Sequence, residues 1–117
     1  MDAELIREYC LKKKMAEECL PFDEVTPVYK VAGKMFLLLS LDSPVSINVK
    51  TDPEKAVELR EKYEEVTPGY HMSKKHWNTI DVTGRLNDAL IKKWIDDSYD
   101  LVVSGLSKKL REQLKQI

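Results

Sequence analysis

The sequence lacks several features by which active sites and binding sites are commonly recognised. Its four glycines stand apart, so it has no glycine-rich loop of the kind that cradles phosphate groups. Its two cysteines, Cys10 and Cys19, have the spacing of neither a zinc knuckle nor a redox pair, and we interpret both as reduced thiols. No basic stretch followed by an apolar segment marks a secretory signal. These absences predict a cytoplasmic protein.

Long apolar runs and an excess of one charge are also missing. The longest apolar run, residues 35–39, is far shorter than the ~20 residues of a membrane-spanning helix, so we expect no membrane association. Lysine and arginine number 19 against 20 aspartates and glutamates, which leaves a formal net charge of -1. Proteins that bind nucleic acid through bulk charge carry a positive excess. A nucleic-acid partner would therefore have to meet a local basic surface.

The composition is that of one folded domain covering residues 1–117. Of the 117 residues, 43% are hydrophobic and 33% are charged, which is a globular and not a disordered balance. Apolar periodicity predicts a first helix, capped by Asp2, that runs to about Lys13. Residues 16–22 fit either a short edge strand or a packed loop. Strands are predicted at residues 28–32, 35–41 and 45–50, with a hairpin turn at Gly33 and Lys34.

The pattern of the second half predicts a helix, a hairpin and two more helices. Asp52 caps a helix that ends before Val66. Residues 70–72 and 76–82 are predicted strands joined by a polar tip at residues 73–75. Asn87 or Asp88 caps a long helix ended by Gly105 in a left-handed conformation, and Ser107 caps the last helix. This order indicates a two-layer α+β fold, with an antiparallel sheet packed on one face by helices.

The densest group of residues that could contact a ligand lies in residues 66–82. Lys74, Lys75 and His76 stand beside Trp77 at the tip and base of the predicted hairpin. Lysines at a hairpin tip can reach phosphates, and an aromatic ring can stack on a base. Lys34 and Lys50 could add to the same basic surface. The leading hypothesis is therefore a protein that contacts nucleic-acid backbone through these six residues.

The same stretch also permits a different function. Tyr70, His71, His76, Trp77 and Asn78 could line a pocket for a small ligand or a partner peptide. A homodimer interface on this surface is a third possibility, and the sequence leaves the oligomeric state open.

Catalysis and metal binding find little support in the sequence. His71 and His76 are five residues apart, and no carboxylate or cysteine nearby completes a metal-ligand set. No arrangement of serine, histidine and aspartate can be inferred. We therefore expect no enzymatic activity, no cofactor and no metal.

Several motifs carry a resemblance to a known family. They are VAGKMF at residues 31–36, NVKTDP at 48–53, TPGYHMSKKHWNT at 67–79, DSYDLVV at 97–103 and LSKKLR at 106–111. On these motifs the chain resembles the MmcQ/YjbR family over nearly its whole length. The resemblance implies a bacterial, cytoplasmic protein with a CyaY-like α+β fold that binds double-stranded DNA through a "double wing" of strands. The wings would be the hairpin at Gly33 and Lys34 and the tip at residues 73–75. The resemblance supplies no catalytic residue.

Overall fold

The computed structural model describes residues 1–69 and 72–117, and the following helices and strands lie within these residues. In chain order they are α1 (Ala3–Leu11), β1 (Ala16–Cys19), β2 (Val28–Val31), β3 (Lys34–Ser40), β4 (Ser46–Lys50), α2 (Pro53–Lys62), β5 (Val66–Pro68), β6 (Trp77–Asp81), α3 (Asp88–Ser104) and α4 (Lys108–Lys115). Residues 16–22, left open by the sequence, contain the edge strand β1. No helix among the described residues has the length and hydropathy needed to cross a bilayer.

The helices begin at the polar residues that the sequence predicts. The side chains of Asp2, Asp52, Asn87 and Ser107 each accept a hydrogen bond from a backbone N–H in the first turn of the following helix. These bonds satisfy donors that have no partner within a helix. The predicted end of α3 is wrong in one detail, because Gly105 has φ -87° and remains in the right-handed region.

The six strands form one antiparallel sheet in the order β1-β2-β3-β4-β6-β5. α1 packs against β1, α3 crosses β2, β3 and β4, and α2 packs against β5 and β6. The core lies between these helices and the sheet, and includes the fully buried residues Phe36, Ile47 and Ile80. The predicted two-layer α+β class is confirmed. The other side of the sheet, which we call the open face, has no helix over it within the described part of the chain.

Two predicted turns differ in the structure. The hairpin between β2 and β3 turns on Ala32 (φ 49°) and Gly33 (φ 81°), one residue earlier than predicted, and Lys34 already belongs to β3. Positive φ at both central residues is the geometry that matches the twist of a two-residue hairpin. Before the second turn the structure has a strand that was not predicted, β5 at Val66–Pro68. Of the strand predicted at residues 70–72, Tyr70 and His71 lie outside the described residues.

A β-bulge gives β3 two consecutive residues that are fully buried. The register moves from Tyr29 opposite Leu37 to Lys30 opposite Met35, so Phe36 has no partner of its own. Phe36 and Leu37 are both fully buried, and the Phe36 ring meets the Tyr99 ring edge-on at 5.3 Å between centroids. The bulge therefore turns Met35 towards the open face while Phe36 enters the core.

The hydroxyl of Ser98, in the middle of α3, holds this bulge to the end of β4. It donates to the Phe36 carbonyl at 2.6 Å and accepts from the Lys50 N–H at 2.8 Å. Ser98 is fully buried and its bond to the Phe36 carbonyl is buried with it, so this carbonyl has no access to water as an alternative donor. One side chain thus fixes α3, β3 and β4 to each other.

We predict that Ser98→Ala lowers the free energy of unfolding by about 1–3 kcal/mol, because the buried Phe36 carbonyl loses its donor and the Lys50 N–H loses its acceptor. Urea denaturation would measure the change. Ser104→Ala is the matched control, since its exposed hydroxyl only donates to the Leu101 carbonyl of the same helix. Equal stability of the two variants would contradict this role of Ser98.

Candidate nucleic-acid interface

The register of the central strands brings most of the predicted contact residues to one end of the sheet. β3 begins, β4 ends and β6 begins at this end, where Lys50 and Trp77 are direct cross-strand partners. Lys34 is the first residue of β3, and the turn leading into β6 carries the remaining three residues. We call this the basic end and define it by Lys34, Lys50, Lys74, Lys75 and His76.

These residues share an end of the sheet, but they do not all share a face. Lys50 lies on the open face with Trp77. Lys34 is exposed, but its register partner is Val31, which packs into the core, so Lys34 lies on the helix side of its turn. Lys30 also lies at this end on the open face, opposite Glu17 of β1. The positive surface is therefore a rim around the strand ends and not a flat patch.

The turn before β6 is held by Arg60 of α2. Its Nε donates to Asn78 Oδ1 at 2.6 Å, and its Nη2 donates to the carbonyls of Trp77 (3.3 Å) and Lys74. Asn78 is fully buried, and its amide also donates to the Ala56 carbonyl at 3.3 Å. The guanidinium thus fixes the turn from the helix side. Arg60 was not identified from the sequence, where the only hint was an asparagine at an inward position of β6.

Gly69 allows the chain to approach Trp77 closely. Its N–H donates to the Trp77 carbonyl at 2.9 Å. A Cβ at this position would lie 3.0 Å from the Trp77 Cβ and 3.1 Å from the Trp77 carbonyl oxygen, closer than most side chains pack. Any other residue would therefore require the strand at Trp77 to shift by a few tenths of an ångström.

A groove of about 770 Å³ crosses the open face from the basic end. Its floor is formed by β3, β4 and β6, and its walls by the loop between β1 and β2 and by Met72 and Ser73. The lining residues are Phe22, Asp23, Thr26, Met35, Leu38, Ser40, Asp42, Ser46, Asn48, Met72, Ser73, Trp77 and Thr79. Trp77, which is partly buried, lines this groove and is also the cross-strand partner of Lys50 at the basic end.

The residues of the predicted small-ligand pocket are only partly brought together. Trp77 lines the groove, whereas Asn78 is buried on the opposite face in its bonds to Arg60 and Ala56. His76 is partly buried in the turn, where its carbonyl accepts from the Thr51 N–H at 2.7 Å. Tyr70 and His71 lie outside the described residues. Of the polar residues that line the groove, Ser46 and Asn48 belong to the strand predicted at residues 45–50, whose pattern predicts a solvent-facing side but no ligand site.

Two titratable groups on α1, Tyr9 and Cys10, have strongly raised pKa values. Burial raises the pKa of the Cys10 thiol to about 12, so this cysteine is protonated and unreactive near neutrality. Burial, together with the Asp96 carboxylate that accepts from its hydroxyl at 2.7 Å, raises the pKa of Tyr9 to about 12. Among the described residues, no three histidines, cysteines or carboxylates are grouped so as to hold a metal ion.

We predict that Arg60→Met loosens the turn at the basic end, because the Asn78 Oδ1 and the Lys74 carbonyl lose the arginine as a donor and the Trp77 carbonyl keeps only the Gly69 N–H. The free energy of unfolding should fall by about 1–3 kcal/mol. Amide exchange at His76 and Trp77, which both bond to the Ser73 carbonyl, should become faster.

Lys55→Met on the same helix is the control for this prediction. Its ion pair with Glu58, at 4.0 Å, is exposed and contributes little. Unchanged exchange at His76 and Trp77 in Arg60→Met would show that the arginine does not hold the turn.

Comparison with known proteins shows relatives that extend over almost the whole chain. The family model YjbR matches residues 11–101. The YbdF protein of Escherichia coli O157:H7, described as uncharacterized, is 36% identical over 113 residues, which are 96% of this chain and 93% of that protein. The YjbR protein of Escherichia coli K12, likewise described as uncharacterized, is 32% identical over 111 residues, which are 94% of each chain.

Two crystal structures show the same fold. The Deinococcus radiodurans protein DR2400, described as a DUF419 domain, has a TM-score of 0.89 and 33% identity, covering 96% of this chain and 86% of that one. A protein from Pseudomonas syringae has a TM-score of 0.76 and 27% identity, covering 86% of this chain and 98% of that one. The names of these relatives state no partner or reaction.

Proposed function

The chain belongs to the YjbR family, and we propose that it binds the phosphate backbone of double-stranded DNA through the basic end of its sheet. The observation that carries the proposal is the strand register, which gathers Lys34, Lys50 and the turn at residues 73–76 at one end. The proposal assigns no catalytic residue, and it requires a location where DNA is accessible, which in a bacterial cell is the cytoplasm.

The spacing of the two turns suits a duplex. The turn at Ala32 and Gly33 leads into β3, the second turn leads into β6, and β4 lies between these strands. Two strand spacings separate the turns by roughly 10 Å. The major groove is ~12 Å wide, so Lys34, next to the first turn, and the lysines of the second turn can reach phosphates on its opposite edges. This arrangement corresponds to the two wings that the family resemblance implies.

The near-zero net charge does not prevent such binding, because part of the negative charge lies at the opposite end of the sheet from Lys50. Asp81 is the partner of Ser46, at the opposite end of β4 from Lys50. Glu64, Glu65 and Asp81, together with Arg85, line a second depression at that end, where negative charge is in excess. A polyanion would therefore be attracted to one end of the sheet and repelled from the other.

We predict that Lys74→Ala with Lys75→Ala weakens duplex binding and lowers its salt dependence. Each lost phosphate contact should reduce the slope of log K against log salt by about 0.9. Fluorescence anisotropy of a labelled duplex at several salt concentrations would measure both quantities.

The matched control is Lys108→Ala with Lys109→Ala, which removes the same charge from exposed positions at the start of α4, in the helix layer. A change in net charge alone would affect both double variants equally. The proposal is contradicted if the unaltered protein binds no duplex at low ionic strength, or if the two double variants have the same slope.

The alternative of a small-ligand or partner-binding module is favoured by one observation, the groove in which Trp77 lies. A thermal-shift screen separates the two functions, because stabilisation by a metabolite but not by DNA favours the groove as an independent site.

A further inference from the structure

We propose that the groove on the open face binds one unpaired nucleotide, with its base against Phe22 and Trp77 and its phosphate at Lys50. A nucleotide of this kind can be free, or it can be the overhanging end of a DNA strand. The second form rests on the proposed DNA-binding function, whereas the first does not.

The walls of the groove present two aromatic rings. Phe22 is 66% exposed, whereas most phenylalanine side chains are buried in a protein core. The loop that carries it is fixed by Asp23, whose carboxylate accepts from the N–H groups of Val25 and Thr26 and from the Thr26 hydroxyl. These bonds lower the pKa of Asp23 and keep its charge. An exposed ring on a fixed loop, across a groove from an indole, is suited to stacking on a base.

The floor of the groove contains a polar residue, Asn48, at a position in the sheet where an apolar side chain is usual. Asn48 lies in the middle of β4, is only 4% exposed, and accepts from the Thr79 hydroxyl at 2.7 Å through its Oδ1. Among residues 1–69 and 72–117 no buried side-chain nitrogen or oxygen lacks a hydrogen-bond partner, so the amide NH₂ of Asn48, which has none there, is accessible to solvent. Asparagine is unfavourable in a central strand, but an accessible amide beside the groove can donate to a ligand. An acceptor on the edge of a base would suit it.

The charged residues around the groove determine the orientation in which a nucleotide would bind. Lys50 is the cross-strand partner of Trp77, and Lys30 is the partner of Met35, so both lysines border the same end of the groove. Asp23 and Asp42 line the rest of the groove, where a phosphate would be repelled. An apolar peptide would use neither the lysines nor Asn48. A planar polar base with one phosphate matches the groove, because the phosphate lies at the lysine end, away from the two aspartates, and the base can bond to Asn48.

The size of the groove fits a single nucleotide. Its volume of about 770 Å³ lies within the ~300–1,000 Å³ of small-molecule sites, and it is too small for a base-paired duplex. A duplex held on the rim at the basic end could nevertheless extend one unpaired nucleotide past Trp77 into the groove.

Three probes distinguish the sources of the nucleotide: a blunt duplex, the same duplex with a one-nucleotide overhang, and free nucleoside monophosphates. Affinity is measured by calorimetry, and contact with the groove by quenching of Trp77, since the other tryptophan, Trp94, is buried in the core. We expect the overhang to bind about tenfold more tightly than the blunt duplex, as one stacked base contributes, and to quench the indole.

Paired variants locate the site. Phe22→Ala should abolish the preference for the overhang, whereas Val25→Ala, equally exposed on the same loop, should retain it. Thr79→Val removes the hydroxyl that orients Asn48 and should weaken the preference. Thr67→Val, at the neighbouring position on β5 and outside this groove, should not.

The outcomes separate the nucleotide site from the proposed function. If the two duplexes bind equally and free nucleotides do not quench Trp77, the groove proposal is overturned while DNA binding stands. If only free nucleotides bind and Phe22→Ala removes that binding, the groove proposal holds and the DNA function fails. If no probe binds, both are overturned.

Discussion

The cross-strand register of β3, β4 and β6 decides where charge and aromatic surface lie in this molecule. Because the pairing is antiparallel, the first residues of β3 and β6 meet the last residue of β4, and Lys34, Lys50 and Trp77 share one end of the sheet. A shift by one residue would turn the indole into the core and Asn78 towards solvent. The basic end and the groove beside it both depend on this single alignment.

Polar contacts from the helix layer stabilise this strand register on the helix side of the sheet. Ser98 ties the bulge of β3 to the last residue of β4, and Arg60 ties Asn78 to the turn before β6. Both contacts are on the side of the sheet opposite to the groove, so they fix the site without occupying it. The open face is consequently rigid in its backbone while its side chains remain available to a ligand. Such pre-organisation lowers the ordering cost of binding.

Much of this fold follows from local patterns in the sequence, because caps and strand alternation are local properties. Asp52 before Pro53 and the alternation of residues 45–50 are sufficient to predict α2 and β4. The conformation predicted for Gly105 was wrong because glycine after a helix is only a statistical preference. The site was predicted less completely. Lys50 and Trp77 are 27 positions apart, and their pairing, the role of Arg60, and the groove floor at Asn48 arise from tertiary contacts that no local pattern contains.

The most direct measurement of the central claim is a titration of ¹⁵N-labelled protein with a short duplex at low ionic strength, followed by amide chemical shifts. If the basic end is the contact surface, shifts will concentrate at Ala32 to Lys34, at Lys50 and at Ser73 to Trp77, and added salt will reverse them. Shifts confined to α1 and α4, or no shifts at any duplex concentration, would contradict the account.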